Sequence, residues 1–245
     1  MTLYASTHAN NNDVKIHYYD SLEKSKSDGN SIPLVVCPGL SETAEEYIDL
    51  LEAVSPRRCI LLSFRGRGGS DTPVHGYNLD DHVSDLEAVV RHAGVELFHL
   101  FGYSRGASYA LGYAQKHKGQ IKSLILGDYP PEHRAMSEDW TKDYIHNYLM
   151  PHSRTNYIRP EAVLGIQSES SQSSLENVLS MNVLVARGKL QGSLITDSDL
   201  LRYKEMCSRL SIKEYRRSGH DIKEKEKELF YSDVVSFLAG INSSQ

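Results

Sequence analysis

The chain has 245 residues, of which 40% are hydrophobic and 24% charged, a balance that excludes a disordered or fibrous protein. At roughly 150 residues per domain this length allows one or two domains, and α/β folds of this size are often single. The net charge is −5 and no basic run extends beyond Arg216-Arg217, which argues against a nucleic-acid partner. No stretch approaches the ~18 apolar residues of a membrane span. Residues 1–13 are polar and Asn-rich, without the apolar stretch of a signal peptide, so the expected location is the cytoplasm, with no membrane partner. Cys37, Cys59 and Cys207 form no close pair, which argues against a disulfide scaffold, and Cys37 and Cys59 sit in apolar runs as buried thiols would.

In chain order, residues 14–19 alternate in polarity and read as an edge strand. Residues 32–37 (IPLVVC) are almost continuously apolar, as a strand buried on both faces should be. A helix is expected over 44–54, after Ser41, with glutamates placed for a capped start. Residues 58–64 (RCILLSF) form the next strand. Leu79, Val83, Leu86, Val89, Val90 and Ala93 recur near the 3.6 period and predict a helix over 79–93. A strand at 97–101 leads into a helix at 105–116 that is rich in small residues on one face. Strands follow at 122–126, at 182–186 and, more weakly, at 211–215, with helices at 197–208 and 226–238. The run from Lys223 to Glu228 alternates in sign and reads as a solvated helix face. Such alternation of strands and helices implies an α/β fold with a mostly parallel central sheet flanked by helices.

Residues 131–180 break this rhythm. They hold no convincing buried strand but carry Trp140-x-x-x-Tyr144-x-x-x-Tyr148 at helical spacing, then turn Ser/Gln-rich at 168–174. The expected organisation is a core of residues 1–130 and 181–245, with 131–180 as a small helical cap over one end of the sheet.

The chemistry concentrates at Gly102-Tyr103-Ser104-Arg105-Gly106. This is a G-x-S-x-G sequence set between a buried strand and a helix, the context that gives the motif its meaning. Ser104 would sit on a tight, strained turn, with Gly102 and Gly106 leaving room for the backbone. A serine hydroxyl is a poor nucleophile at neutral pH and needs a base, which in turn needs an orienting group. His220, in Arg217-Ser218-Gly219-His220 after the last strand, is the candidate base. His99 lies inside a strand and His82 and His92 inside a helix, positions less suited to that role.

With these motifs the sequence resembles the α/β-hydrolase superfamily over residues 14–127 and 182–240. CPGL, FRGRGGSD, GYSRG and SGHD fall in the family's order. The resemblance implies an α/β-hydrolase fold with a helical cap inserted after the sixth strand. It also implies an oxyanion hole made by the backbone amides of Leu40 and Arg105. The family often has His-Gly where this chain has Pro38-Gly39, a change that a backbone amide can survive. The Gly66–Ser70 loop is too irregular for a dinucleotide fingerprint, and no cofactor or metal is expected.

The acid departs from the pattern. Its usual place follows the strand at 182–186, where the chain has no carboxylate and Ser193 aligns with it. Asp197 and Asp199 come next but read as the first turn of a helix. Some branches of the family take the acid from the end of the preceding strand, where this chain has Asp128. Asp128 is the favoured acid, with Asp197, Asp199 or a site lacking a carboxylate as alternatives.

The expected reaction is acyl transfer from a small, largely apolar ester-like substrate to water. Tyr103, Tyr129, Trp140, Tyr144 and Tyr148 are the expected substrate-binding residues. The side chain of Arg105 would face either an anionic substrate group or a surface carboxylate. Hydrolysis of a carbon–carbon bond, a thioester or a lactone, and cofactor-free haloperoxidase-like activity, would use the same serine. A haloalkane dehalogenase would carry Asp at position 104. A small-molecule receptor on a hydrolase scaffold is the alternative of a different class, favoured by the missing acid alone.

Overall fold

The computed structural model describes residues 4–21 and 31–242; residues 1–3, 22–30 and 243–245, assigned to the core from sequence, lie outside the described residues. The described chain begins with an antiparallel hairpin of β1 (Ala5–Asn11) and β2 (Val14–Asp20), paired from Ala5↔Asp20 to Asn11↔Val14. Next come β3 (Leu34–Cys37), a 3₁₀ turn (Ala44–Tyr47) leading into α1 (Ile48–Ala53), and β4 (Cys59–Leu62). Then follow α2 (Leu79–His92), β5 (Phe98–Tyr103), α3 (Arg105–Lys116) and β6 (Ile121–Gly127). Between β6 and the next long strand lie β7 (Glu132–His133), α4 (Glu138–Asp143), a π-helical turn (Tyr144–Leu149), α5 (Pro160–Glu169) and β8 (Ser173–Ser174). The chain ends with β9 (Leu179–Gly188), α6 (Asp197–Met206), β10 (Cys207–Tyr215), α7 (Ile222–Lys225) and α8 (Lys227–Asn242).

Eight strands form one sheet in the order β1-β2-β4-β3-β5-β6-β9-β10. The β1/β2 and β2/β4 pairs are antiparallel and all the others parallel. Every residue of β3, β4 and β5 is buried, which is why their sequences run apolar without alternation. One face packs Leu50 and Leu51 of α1 and Phe230, Val234 and Leu238 of α8 against Val36, Leu61 and Phe101. The other packs Val83, Leu86 and Val89 of α2, Leu111 of α3 and Tyr203 of α6 against Val35, Ile60, Leu62 and Leu100. Each such fully buried large side chain contributes about 1.5–3 kcal/mol over leaving it in water. All three cysteines are free and buried. Among the described residues no helix is long and apolar enough to cross a membrane.

Three local readings differ from the sequence expectation. The strand at 14–19 is not an edge, because β1 pairs along its outer side. The glutamate that caps the turn before α1 is Glu46, which accepts the Thr43 N–H at 3.0 Å, while the Ser41 hydroxyl is used elsewhere. The alternating run from Lys223 to Glu228 is a solvated face only in part: Glu224, Lys225 and Glu228 are exposed. Lys223 and Glu226 are buried, because Glu226 accepts the Arg217 N–H (2.9 Å) and the Ser218 hydroxyl (2.7 Å) and so breaks α7 from α8.

The segment between β6 and β9 has its own small apolar cluster, in which Leu149, Ile158, Ala162, Val163 and Ile166 pack with Tyr77. It is tied to the core along one side. Arg159 donates to the Gly68 carbonyl (2.6 Å) and Thr72 hydroxyl (2.7 Å), and Glu169 accepts the Gly76 and Tyr77 amides at 2.9 and 2.7 Å. Tyr144 and Arg154 donate to the Ser41 hydroxyl and carbonyl, both at 2.6 Å.

Candidate active site

The backbone at Ser104 has φ +51° and ψ −134°, in the left-handed half of conformational space that a side chain normally avoids. Two glycines make the turn passable. A Cβ on Gly102 would stand 2.5 Å from the Gly106 carbonyl oxygen, and one on Gly106 would overlap the Cys37 and Pro38 carbonyls. The turn continues the sheet, because the Ser104 N–H donates to the Gly127 carbonyl at 2.8 Å. Its hydroxyl lies 2.9 Å from His220 Nε2.

Asp128 leaves the end of β6 with φ +42°, its N–H donating to the Ala186 carbonyl of β9 at 2.8 Å. Its side chain is fully buried. Oδ2 lies 2.8 Å from His220 Nδ1 and accepts the Leu194 N–H at 3.0 Å; Oδ1 accepts the Ser193 hydroxyl at 2.6 Å and the Gly188 N–H at 3.2 Å. A carboxylate can only accept, so Nδ1 carries the imidazole proton and Nε2 presents its lone pair to Ser104. The loop after β9, through Ser193, thus meets the carboxylate of the neighbouring strand as a donor. Asp199 caps α6, accepting the Thr196 N–H at 2.9 Å, and Asp197 pairs with Arg187 at 2.5 Å; neither is bonded to His220.

His220 follows β10 on a loop fitted closely to β9, where a Cβ on Gly188 would overlap the Gly219 carbonyl. The Tyr103 hydroxyl donates to the His220 carbonyl, and the two rings stack at 5.6 Å. The neighbouring Asp221 turns away to the Gly219 N–H (2.9 Å) and Lys225 (2.7 Å).

Above these groups is a cavity of about 790 Å³, roofed by the segment between β6 and β9. Leu40, Ser104, Arg105, His220 and the five aromatic residues singled out from sequence all border it, whereas Asp128 lies behind His220. Gly39 brings the Leu40 loop against the serine, since a Cβ there would be 3.2 Å from that of Ser104. Trp140, Tyr144 and Tyr148 form a stacked ladder, with centroids 4.6 and 5.1 Å apart, continued to His152 at 5.2 Å. Tyr103 and Tyr129 are nearly buried, and the hydroxyl of Tyr103 is occupied by the histidine loop.

The side chain of Arg105 does neither thing expected of it. It turns into the interior and donates to the Arg134 carbonyl (3.0 Å) and the hydroxyls of Ser170 (2.7 Å) and Tyr109 (3.2 Å), fastening α3 to the roof. It also lies 3.2 Å from His133 Nε2. Burial, and then the adjacent cation, push the His133 imidazole down to about 3, so it accepts as the neutral ring. Sequence reasoning missed the hydroxyl of Ser193 and the buried pair of Glu42 and Lys223 beside the site; no motif marks either. Among the described residues no group of three or more His, Cys, Asp or Glu is arranged to hold a metal ion.

A family model described as the alpha/beta hydrolase fold matches residues 32–165. Among curated relatives, haloalkane dehalogenase 2 of Mycobacterium tuberculosis is 26% identical over 116 residues, covering 46% of this chain and 38% of that protein. A proline iminopeptidase of Clostridium botulinum is 32% identical over 108 residues, 42% of this chain and 37% of the relative. The chain thus spans well under half the length of these relatives. Among solved structures, an esterase from Exiguobacterium antarcticum superposes with a TM-score of 0.76 at 18% identity, covering 96% of this chain and all of the other. At that identity the likeness is one of fold.

Proposed function

The chain belongs to the α/β-hydrolase fold family, and on that premise we propose that it is a serine hydrolase that transfers the acyl group of a small, largely apolar ester to water. The observation that carries this reading is the unbroken line from a buried carboxylate through an imidazole to a hydroxyl on a strained turn, with steps of 2.8 and 2.9 Å. In this reading residues 131–180 act as the cap. Ser104 Oγ bonds to the substrate carbonyl carbon as its proton passes to His220 Nε2. The oxyanion so formed accepts hydrogen bonds from the Leu40 and Arg105 amides, a kind of donor that typically contributes about 3–4 kcal/mol each. The intermediate collapses, the bond to the leaving group breaks, and the leaving group takes the proton from Nε2. Water then attacks the acyl-enzyme by the same route, giving the acid and restoring Ser104. Asp128 holds the Nδ1–H tautomer and balances the transient imidazolium.

The cavity supports an apolar, ring-bearing acyl or alcohol group, because Trp140, Tyr144 and Tyr148 border it. The receptor alternative loses its one supporting feature once Asp128 stands within hydrogen-bond reach of His220. The test is covalent labelling with a fluorophosphonate probe together with turnover of p-nitrophenyl acetate. The wild-type chain is expected to do both and Ser104→Ala neither; a wild-type chain that stays unlabelled refutes the proposal.

A further inference from the structure

We infer that Lys223 neutralises Glu42 beside the oxyanion site, so that Glu42 can hold the loop carrying the Leu40 amide without placing a net negative charge next to the developing oxyanion. Both are then positioning residues, 181 positions apart in sequence.

The Glu42 carboxylate makes three contacts. Oε2 accepts the Gly39 N–H at 2.6 Å and the Tyr47 hydroxyl at 2.5 Å, and Oε1 accepts Lys223 Nζ at 2.6 Å. The Gly39 amide belongs to the peptide group immediately before the one that bears the Leu40 N–H, so holding it anchors one end of the short link to the proposed donor. Gly39 lies between the carboxylate and the nucleophile, since a Cβ there would be 2.8 Å from Glu42 Oε2 and 3.2 Å from the Ser104 Cβ. An uncompensated carboxylate at such range opposes the negative charge that the hole exists to stabilise.

Lys223 meets this need from the other side of the site. Its side chain is only 7% exposed, and Nζ stands 3.6 Å above the Tyr47 ring and 5.2 Å from the Tyr103 ring. It sits on α7, which begins two residues after His220, and Tyr103 donates to the His220 carbonyl. The loop of the proposed hole and the loop of the base are therefore joined by one charge-balanced pair. Burial pushes the Glu42 carboxyl up, but Lys223, with the Tyr47 and Gly39 hydrogen bonds, brings it below the ordinary carboxylate value, so it is ionised.

The catalytic half of this inference rests on the serine-hydrolase reading; the pairing itself does not. The full chain is compared as wild type, Lys223→Met and the double variant Glu42→Gln/Lys223→Met. In Lys223→Met, kcat for p-nitrophenyl acetate is expected to fall on the order of tenfold with KM changed less than about twofold. Amide hydrogen exchange over residues 38–43 should quicken by about tenfold as the unpaired carboxylate draws in water. The double variant removes both charges yet keeps an acceptor for Gly39, and it is expected to recover most of both losses. A pair acting only as a structural bolt would stay broken in the double variant. No recovery of kcat there, a rise in KM in place of the fall in kcat, or unchanged exchange in Lys223→Met overturns the inference. A wild-type chain that does not react with the fluorophosphonate overturns the hydrolase reading instead, and the exchange data still decide the pairing.

Discussion

Replacing Asp128 with asparagine tests the site at its most constrained atom. The carboxylate accepts from His220 and Leu194 through one oxygen and from Ser193 and Gly188 through the other. An asparagine must set its NH₂ group against one of these pairs. Facing His220, it would oppose the Leu194 N–H at 3.0 Å and force the imidazole proton onto Nε2, leaving no base for Ser104. That outcome costs about 10⁴ in rate, or about 5.5 kcal/mol. Facing Ser193, it meets a hydroxyl that can turn round and accept, and a Gly188 N–H already at 3.2 Å. The tautomer then survives and the loss is that of a charged hydrogen bond, ~2–3 kcal/mol or ~10²-fold. The adaptable hydroxyl favours the second orientation, so Asp128→Asn is expected to lower kcat by ~10² to 10³, with KM little changed. Adding Ser193→Ala removes the accepting hydroxyl and should carry the loss toward ~10⁴. Steady-state hydrolysis of p-nitrophenyl acetate measures both, with Asp197→Asn, an exposed residue paired with Arg187, as a control expected within about twofold of wild type. A single Asp128→Asn variant that retains at least a third of wild-type activity, or an Asp197→Asn variant damaged as severely, would refute the assignment.

Two further outcomes follow, one from buried histidines and one from the aromatic ladder. His99 and His133 are held down to about 3 and His82 well below its usual value, in each case first by burial, so below the ordinary value of 6.5 the unfolded chain takes up protons that the native one refuses. Stability should therefore fall as pH drops from about 6.5 toward 3, by about 1.4 kcal/mol per pH unit for each of His99 and His133, with His82 acting in the same direction; urea titrations at several pH values should show His99→Gln with a slope shallower by about that amount. In the aromatic ladder of Trp140, Tyr144 and Tyr148, Trp140→Ala should raise KM about fivefold for a phenyl-bearing ester while leaving an acetyl ester within about twofold, in keeping with ~1 kcal/mol for one aromatic contact. Equal effects on both esters would place the substrate ring elsewhere.

The central strands β3, β4 and β5 were legible because every residue in them is buried and their sequences are mostly apolar, whereas β10 at the sheet edge, largely exposed and polar, left only a weak signal. The elbow was legible because glycines flank a serine where strand meets helix. β1 was not: its residues are small and polar, and the strand exists through its pairing with β2, with Asn11 anchored on Asp85 at 2.9 Å. The acid was hard to place for a related reason. Asp128 and Ser193 are 65 positions apart, and only the parallel pairing of β6 with β9 shows that a hydroxyl on one loop completes the shell of a carboxylate on the other. Lys223 and Glu226 misled because alternating charge at a helix start signals solvent unless each charge has an inward partner, and those partners, Glu42 and the Ser218 loop, are invisible to local pattern. Arg105 was read by its position beside the serine, yet a long side chain on the first turn of α3 reaches past the cavity to the roof.

The amides of Ser104 and Asp128 are both stitched into the ladder, to Gly127 and to Ala186. The gap between Ser104 and Asp128, the proposed nucleophile and acid, is therefore a lattice dimension of the sheet, set by the spacing of adjacent strands at about 4.8 Å. Warming, crowding or a distant substitution can hardly stretch it without unzipping the β5–β6–β9 centre of the molecule. The imidazole is the one movable contact of the three, hung from a loop and steadied by a tyrosine. A tilt of that ring would break both contacts of the line while leaving the strand ladder whole.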